Sequence, residues 1–196
     1  MKDKKRTTWM YRLSVPIIWC IFRGLWRPKV EGKENIPKDT GFVLAGTHIH
    51  YLDAWMIPTT CPRVVHFLAK KELWKGLKGL YFGSMGMIPV DRSKHDHNSL
   101  EMAVEFLNDE CAVVVFPEGT LERGRGLMEF KIGAVKMAQM ANKPIIPFAV
   151  TGKYKVFGHT KLKIKYGKPF IVSKRKDLTK DNEKLRECVK QLLEEE

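Results

Sequence analysis

The run Ala112-Val113-Val114-Val115-Phe116 contains no polar side chain. It is too short for a buried helix and suits a strand covered on both faces, as in parallel sheets. The stretch before it, 98–108, sets Leu100, Val104 and Leu107 at helical spacing. A helix feeding a doubly covered strand is the repeating unit of α/β proteins. The unit recurs along the chain. Phe42–Thr47, Val64–Ala69, Met87–Val90 and Ile145–Val150 read as strands, and 70–82, Lys131–Ala141 and Leu178–Glu194 as helices. In the last helix Leu185, Val189 and Leu192 form the buried stripe. Lys161–Tyr166 alternates strictly, which predicts an edge strand with one wet face. The pattern predicts an α/β fold with a mixed, largely parallel sheet flanked by helices. The 196 residues suit one main domain over 30–196.

Residues 1–29 are of a different kind. They carry eight basic groups against the single acid Asp3, over half of a net charge of +13. Trp9 to Trp26 is rich in apolar residues but is broken by Arg12, Pro16 and Arg23. A spanning helix needs about 20 mostly apolar residues, and this run is too charged for one. Arg12 and Arg23 lie eleven helical steps apart, which brings them within about 20° on a wheel. Trp19 and Trp26 fall near the same direction. Trp beside Arg at the border of an apolar face suits an amphipathic anchor on an anionic membrane surface. Pro16 is expected to kink this segment or to start a second helix. The bland alternative is a helix packed on the protein's own core. Cys20, Cys61, Cys111 and Cys188 have neither knuckle nor redox spacing and read as reduced, cytosolic thiols.

Chemistry-bearing residues cluster where strands end, the usual place for sites in α/β sheets. After Phe42–Gly46 comes Thr47-His48-Ile49-His50-Tyr51-Leu52-Asp53, with a short helical turn from Leu52 that Pro58 should stop. His48 and Asp53 share neither a helix face nor a strand face. A chain turning from strand to helix can still join them. A His held by a carboxylate is a general base of fixed tautomer, and an ordinary imidazole titrates near about 6.5. Next, Gly86-Met87-Ile88-Pro89-Val90-Asp91-Arg92 places Arg92 just past a strand. Arg92 there either grips a phosphate or pairs with Asp91 or Glu118. Phe116-Pro117-Glu118-Gly119-Thr120 follows the covered strand, and Leu121–Gly126 is a basic loop. Lys143-Pro144-Ile145-Ile146-Pro147 reads as a shaped apolar wall.

The order of these four stretches resembles the glycerolipid acyltransferase family, specifically the 1-acylglycerol-3-phosphate (lysophosphatidic acid) acyltransferases. Ala69-Lys70-Lys71-Glu72-Leu73 and Phe130-Lys131-x-Gly133-Ala134 add to the resemblance, which covers about 30–170. It implies transfer of a fatty acyl group to the 2-hydroxyl of lysophosphatidic acid, giving phosphatidic acid. The donor would be a thioester of acyl carrier protein or coenzyme A, with no other cofactor and no metal. It implies His48 as general base and Asp53 as its orienter. It assigns substrate binding to Lys70, Lys71, Arg92, Glu118, Gly119 and Thr120, with the loop near Gly119 a candidate for oxyanion donors. The implied location is the cytoplasmic side of the cell membrane, with residues 1–29 as peripheral anchor.

The sequence departs from the family pattern at four places. Thr47 stands for an Asn and His50 for a Ser in the first motif. Leu121 and Glu122 stand for Arg-Ser in the third. The missing Arg is a phosphate ligand in the family, so Arg123, or Arg125, is expected to compensate; otherwise the acceptor is a different lysolipid. Two other classes compete. Thr47-His48-x-His50-x-x-Asp53 approaches a dinuclear metallohydrolase signature, but its Asp is one residue late and further zinc ligands are not evident. Scattered lysines, among them Lys161, Lys163 and Lys165, could serve a basic binding module, but they lack the interleaved aromatics of nucleic-acid platforms.

Overall fold

A computed structural model describes residues 9–91, 97–122, 124–155 and 161–195, with Leu77 and Lys78 described in backbone only. The chain runs through α1 (Trp9–Leu25), β1 (Lys29–Glu31), β2 (Phe42–Gly46), α2 (Asp53–Thr60), β3 (Val65–Lys70), α3 (Leu77–Ser84) and β4 (Ile88–Val90). It continues with α4 (His97–Asn108), β5 (Ala112–Val115), α5 (Gly133–Ala141), β6 (Ile145–Thr151), β7 (Lys163–Tyr166) and α6 (Thr179–Glu194). The seven strands form one sheet in the order β1-β7-β6-β2-β5-β3-β4. From β6 to β4 the five strands are parallel, whereas β7 runs antiparallel to β6 and carries β1 with it. The carboxyl ends of β6, β2, β5, β3 and β4 therefore share one edge, and every candidate site residue follows one of those ends.

Period-two alternation sorts the buried strands between two apolar layers. Val43, Ala45 and Val113 pack with Ala103, Leu107, Val135, Leu185 and Val189 on the α4, α5 and α6 side. Phe42, Leu44 and Val114 pack with Phe22, Met56 and Ile57 on the α1 and α2 side. Both faces of the central strands are thus dry, as their unbroken apolar runs require. Each fully buried aliphatic side chain contributes about 1.5–3 kcal/mol by leaving water. Gly46 ends β2 because nothing larger fits. A Cβ there would stand 1.9 Å from the carbonyl oxygen of Phe148 on β6.

Several expectations need correction. Strand β7 is not at the edge, because β1 pairs on its outer side. Nor are its lysines solvated: Lys165 is buried and its ammonium donates to the backbone carbonyl of Glu195, beyond α6. Lys163 is turned toward Glu31 of β1 at 3.7 Å. The helix expected over 70–82 divides into a 3-10 turn at Lys71–Trp74 and α3. Pro58 does not stop α2. The helix ends two residues later, where Cys61 N–H reaches Ile57 O and both Thr59 and Thr60 hydroxyls donate to Met56 O.

Helix α1 is one continuous helix through Pro16. Its inner side buries Tyr11 and Phe22 in the domain, and Val65 N–H of β3 donates to the Tyr11 hydroxyl. Its outer side is a second apolar stripe. Trp9, Leu13, Ile17, Ile21 and Leu25 recur every four residues and are all 45–68% exposed. Arg12 and Arg23 are exposed beside them, and the Arg23 guanidinium lies over the Trp19 ring. Trp26 departs from the expected direction. The helix has ended by Leu25, and Trp26 turns inward to pack against Phe22, the rings tilted at 47°. Among the described residues no helix is long and apolar enough to cross a membrane.

Candidate active site

The turn from β2 into α2 brings His48 and Asp53 together. Asp53 is the first residue of α2 and is fully buried. His48 Nδ1 lies 3.0 Å from Asp53 Oδ2, and the His48 side chain keeps 18% of its surface exposed. The same Oδ2 accepts the His50 backbone N–H at 2.9 Å, and Oδ1 accepts the Tyr154 hydroxyl at 2.6 Å. An ionised carboxylate, which only accepts, is the form that satisfies all three donors. Nδ1–H of His48 then points at Asp53, and Nε2 is left as the basic nitrogen. The imidazole is fixed in orientation as well, because it stacks on Phe116 at 3.9 Å between centroids and 13° between planes.

The two departures in the first motif have structural explanations. Thr47 is buried and its hydroxyl accepts the Val150 N–H at 2.9 Å, tying the end of β2 to β6. His50 Nδ1 accepts the Leu52 N–H at 3.2 Å. That is the bond a Ser or Asn side chain makes to the residue two positions on. His50 therefore closes the turn with its own side chain, a bond that a Ser at this position could also make.

Strand β5 delivers the third stretch. Glu118 is buried, and neither carboxylate oxygen has a hydrogen-bond partner among the described residues. Burial is the largest influence on its carboxyl and pushes its pKa above the ordinary carboxylate value. A buried carboxylate without a donor is costly, so Glu118 is chemically suited to accept a further hydrogen bond. Gly119 takes φ +73, open to glycine at little cost. Its N–H closes a turn on Phe116 O at 3.0 Å, so that donor is engaged and unsuited to an oxyanion. Thr120 is exposed.

The loop after Thr120 folds on itself. Leu121 is buried where the family has a cation. Glu122 donates its N–H to His48 O at 2.9 Å, and its carboxylate accepts the N–H groups of Gly124 and Gly126. Arg125 uses Nη2 on Leu121 O and Nε on Glu122 O, so it braces the loop. Lys70 and Lys71 are exposed at the carboxyl end of β3, on the site's edge of the sheet. Arg92 and Arg123 lie outside the described residues. Among the described residues no group of three or more His, Cys, Asp or Glu side chains is placed to hold a metal ion.

Three contributors carry no signal that sequence reasoning used. Tyr154 arrives from the loop after β6, 101 residues from Asp53. Phe116 ends an apolar run and opens the third stretch, but the sequence assigns it no role of its own. Lys131 belongs to a matched motif without an assigned role. Its ammonium lies against Gly119, where a Cβ would stand 3.0 Å from Nζ, and its N–H is held by Pro117 O at 2.9 Å.

The parallel strands of the sheet end at His48, paired with the buried Asp53, an arrangement chemically able to move a proton, and known proteins define the site further. The acyltransferase family model matches residues 27–151, and the chain belongs to that family. A 1-acyl-sn-glycerol-3-phosphate acyltransferase of Bacillus subtilis (strain 168) is 32% identical over 165 residues, 82% of each chain. The Haemophilus influenzae protein of the same name is 38% identical over 127 residues, 61% of this chain and 52% of its own. Human 1-acyl-sn-glycerol-3-phosphate acyltransferase alpha is 33% identical over 129 residues, covering 64% of this chain and 46% of its own. The crystal structure of the 1-acyl-sn-glycerophosphate (LPA) acyltransferase PlsC from Thermotoga maritima superposes with a TM-score of 0.76 at 24% identity. That match covers 94% of this chain and 80% of the other, and it bears out the mixed, mostly parallel sheet flanked by helices.

Proposed function

We propose that the chain is a 1-acylglycerol-3-phosphate O-acyltransferase that makes phosphatidic acid from lysophosphatidic acid and an acyl thioester. The observation that carries this reading is the His48–Asp53 pair, one ring nitrogen bound to a buried carboxylate and the other left basic, with the buried Glu118 nearby. Nε2 takes the proton from the acceptor's 2-hydroxyl as the oxygen attacks the thioester carbonyl carbon. The C–O bond forms, the C–S bond breaks, and the imidazolium returns its proton to the departing thiolate. No acyl-enzyme is required. The relatives' names and the family membership support the acceptor; the donor is a thioester of acyl carrier protein or of coenzyme A, and neither metal nor further cofactor enters.

Glu118 would accept from a hydroxyl of the bound glycerol, with Gly119 and Thr120 lining the same place. The acceptor phosphate would be met by Lys70, Lys71, Arg92 and Arg123, with Arg125 bracing the loop and Lys131 adding a cation over Gly119. The outer stripe of α1, flanked by Arg12 and Arg23, would seat the enzyme on an anionic bilayer at the cytoplasmic side of the cell membrane. One observation favours a second reading. With Leu121 buried at the position of the family's Arg, the acceptor could be another lysolipid. The purified protein should be given a panel of lysolipids with both donor types, and the products weighed. Phosphatidic acid as the dominant product supports the first reading; acylation of a phosphate-free or zwitterionic lysolipid in preference would replace it.

A further inference from the structure

We propose that Tyr154 is a positioning residue for the His48–Asp53 pair, and that the inner face of α1 holds it in place. The inference rests on the general-base reading of His48.

Tyr154 makes the shortest of the three hydrogen bonds to Asp53, 2.6 Å against 2.9 Å from His50 N–H and 3.0 Å from His48. It takes Oδ1, the oxygen that His48 does not touch. The carboxylate is therefore gripped from both sides and cannot rotate away from the imidazole without breaking the Tyr154 bond. Burial, and then the charge of Asp53, push the tyrosine hydroxyl above its ordinary range, so it remains a donor at any working pH. The hydroxyl has one further neighbour, Met56 Sδ at 3.5 Å.

What holds Tyr154 is not its own strand. It lies three residues past β6, after Gly152, whose φ of +96 redirects the chain. The ring is set in an aromatic slot. Phe22 of α1 meets it edge-on at 6.4 Å and 88°, and Trp26 at 5.8 Å and 76°. His50 closes the slot at 4.8 Å and 31°. Edge-to-face pairs of this kind prefer a defined geometry, so they fix where the hydroxyl points. Phe22 of α1, with Trp26 just past the end of the helix, thus reaches the catalytic carboxylate through one side chain, Tyr154.

The chemical consequence follows from charge sharing. A donor on Oδ1 disperses the negative charge of Asp53, so the carboxylate stabilises imidazolium less than a bare one would. The titratable groups around the pair are His50 on its own turn, Tyr154 from the β6 loop, and Glu118 with Glu122 from the loop after β5. Tyr154→Phe changes only one of them and keeps the ring.

The test is the pH profile of kcat/KM for Tyr154→Phe, Phe22→Ala and the double variant, each with its Tm, beside His48→Ala. In Tyr154→Phe the acidic limb should move up by about half a unit or more, and kcat should fall about tenfold with KM for both substrates within twofold. Phe22→Ala should move the limb the same way, and the double variant should lose no more than Tyr154→Phe alone. A limb that stays in place in Tyr154→Phe overturns the proposal, whatever happens to kcat or Tm. Losses from Phe22→Ala and Tyr154→Phe that multiply overturn the role given to α1. Turnover that survives in His48→Ala would instead overturn the general-base reading, a separate failure.

Discussion

His48 Nδ1 lies 3.0 Å from Asp53 Oδ2, on a carboxylate with no exposed surface. The arrangement fixes which ring nitrogen can act, and it requires a carboxylate that only accepts. Asp53→Asn places an amide on the same spot. The amide can donate to Nδ1 and so hold the imidazole in the wrong tautomer. The expected result is a fall in kcat on the order of 10³ to 10⁴, with KM for the acceptor changed little, measured by initial rates on a soluble short-chain acceptor.

His50 serves the turn with Nδ1 on the Leu52 N–H. A serine oxygen can make the same bond, so His50→Ser should hold kcat/KM within about threefold. His50→Val cannot, and it should cost about 1 kcal/mol of stability in a denaturant titration. Equal behaviour of the two variants would remove the turn from the explanation of this residue.

Glu118 is a buried carboxylate without a partner among the described residues, and burial raises its pKa above the ordinary 4.5. For an acid raised in the folded state, the fold holds more protons than the unfolded chain in the window above 4.5. Stability then falls as pH rises through that window. Glu118→Gln removes the charge. It should raise Tm at neutral pH by about 2–4 °C while lowering turnover, a trade expected where a site is built for a substrate. Thermal melts at pH 5 and pH 7.5 check the sign, since the gain should be larger at pH 7.5.

Lys131 stands over Gly119 with its ammonium exposed at the carboxyl edge of the sheet. Lys131→Met keeps the stem and deletes the charge. The acceptor KM should rise about tenfold for lysophosphatidic acid and stay unchanged for an acceptor without phosphate. Arg125→Ala is the contrast. Arg125 is hydrogen-bonded to its own loop, so its loss should lower Tm more than it changes KM.

The outer stripe of α1 has five large apolar residues in water. Ile17→Glu should lower partition onto anionic vesicles about tenfold or more in a flotation assay, from lost apolar transfer plus charge repulsion. It should leave turnover of a soluble acceptor intact, because Ile17 is on the side away from the core.

The sheet was legible because its strands are covered on both faces, which shortens each to a bare apolar run such as Ala112–Val115. Strand β7 was misread for the opposite reason. Its lysines alternate like a wet face, but Lys165 is satisfied by a carbonyl at the far end of the chain, which no local pattern reports. Pro16 predicts a kink or a second helix and Pro58 a stop, yet α1 and α2 each continue past the proline, because a helix with tertiary support tolerates one missing N–H. His48 and Asp53 were legible because they share one turn. Tyr154 was not, because its bond to Asp53 depends on how β6 is threaded beside β2 and on where α1 comes to rest.

The central claim is that His48 moves the proton in an acyl transfer to lysophosphatidic acid. The direct measurement is the rate of phosphatidic acid formation by the wild-type protein and by His48→Ala, with matched Tm values to certify the fold. The account predicts product from the wild type with at least one thioester donor, and a fall of about 10³-fold or more in His48→Ala. A folded His48→Ala protein within tenfold of the wild type, or a wild type that acylates lysophosphatidic acid from neither donor, would contradict it.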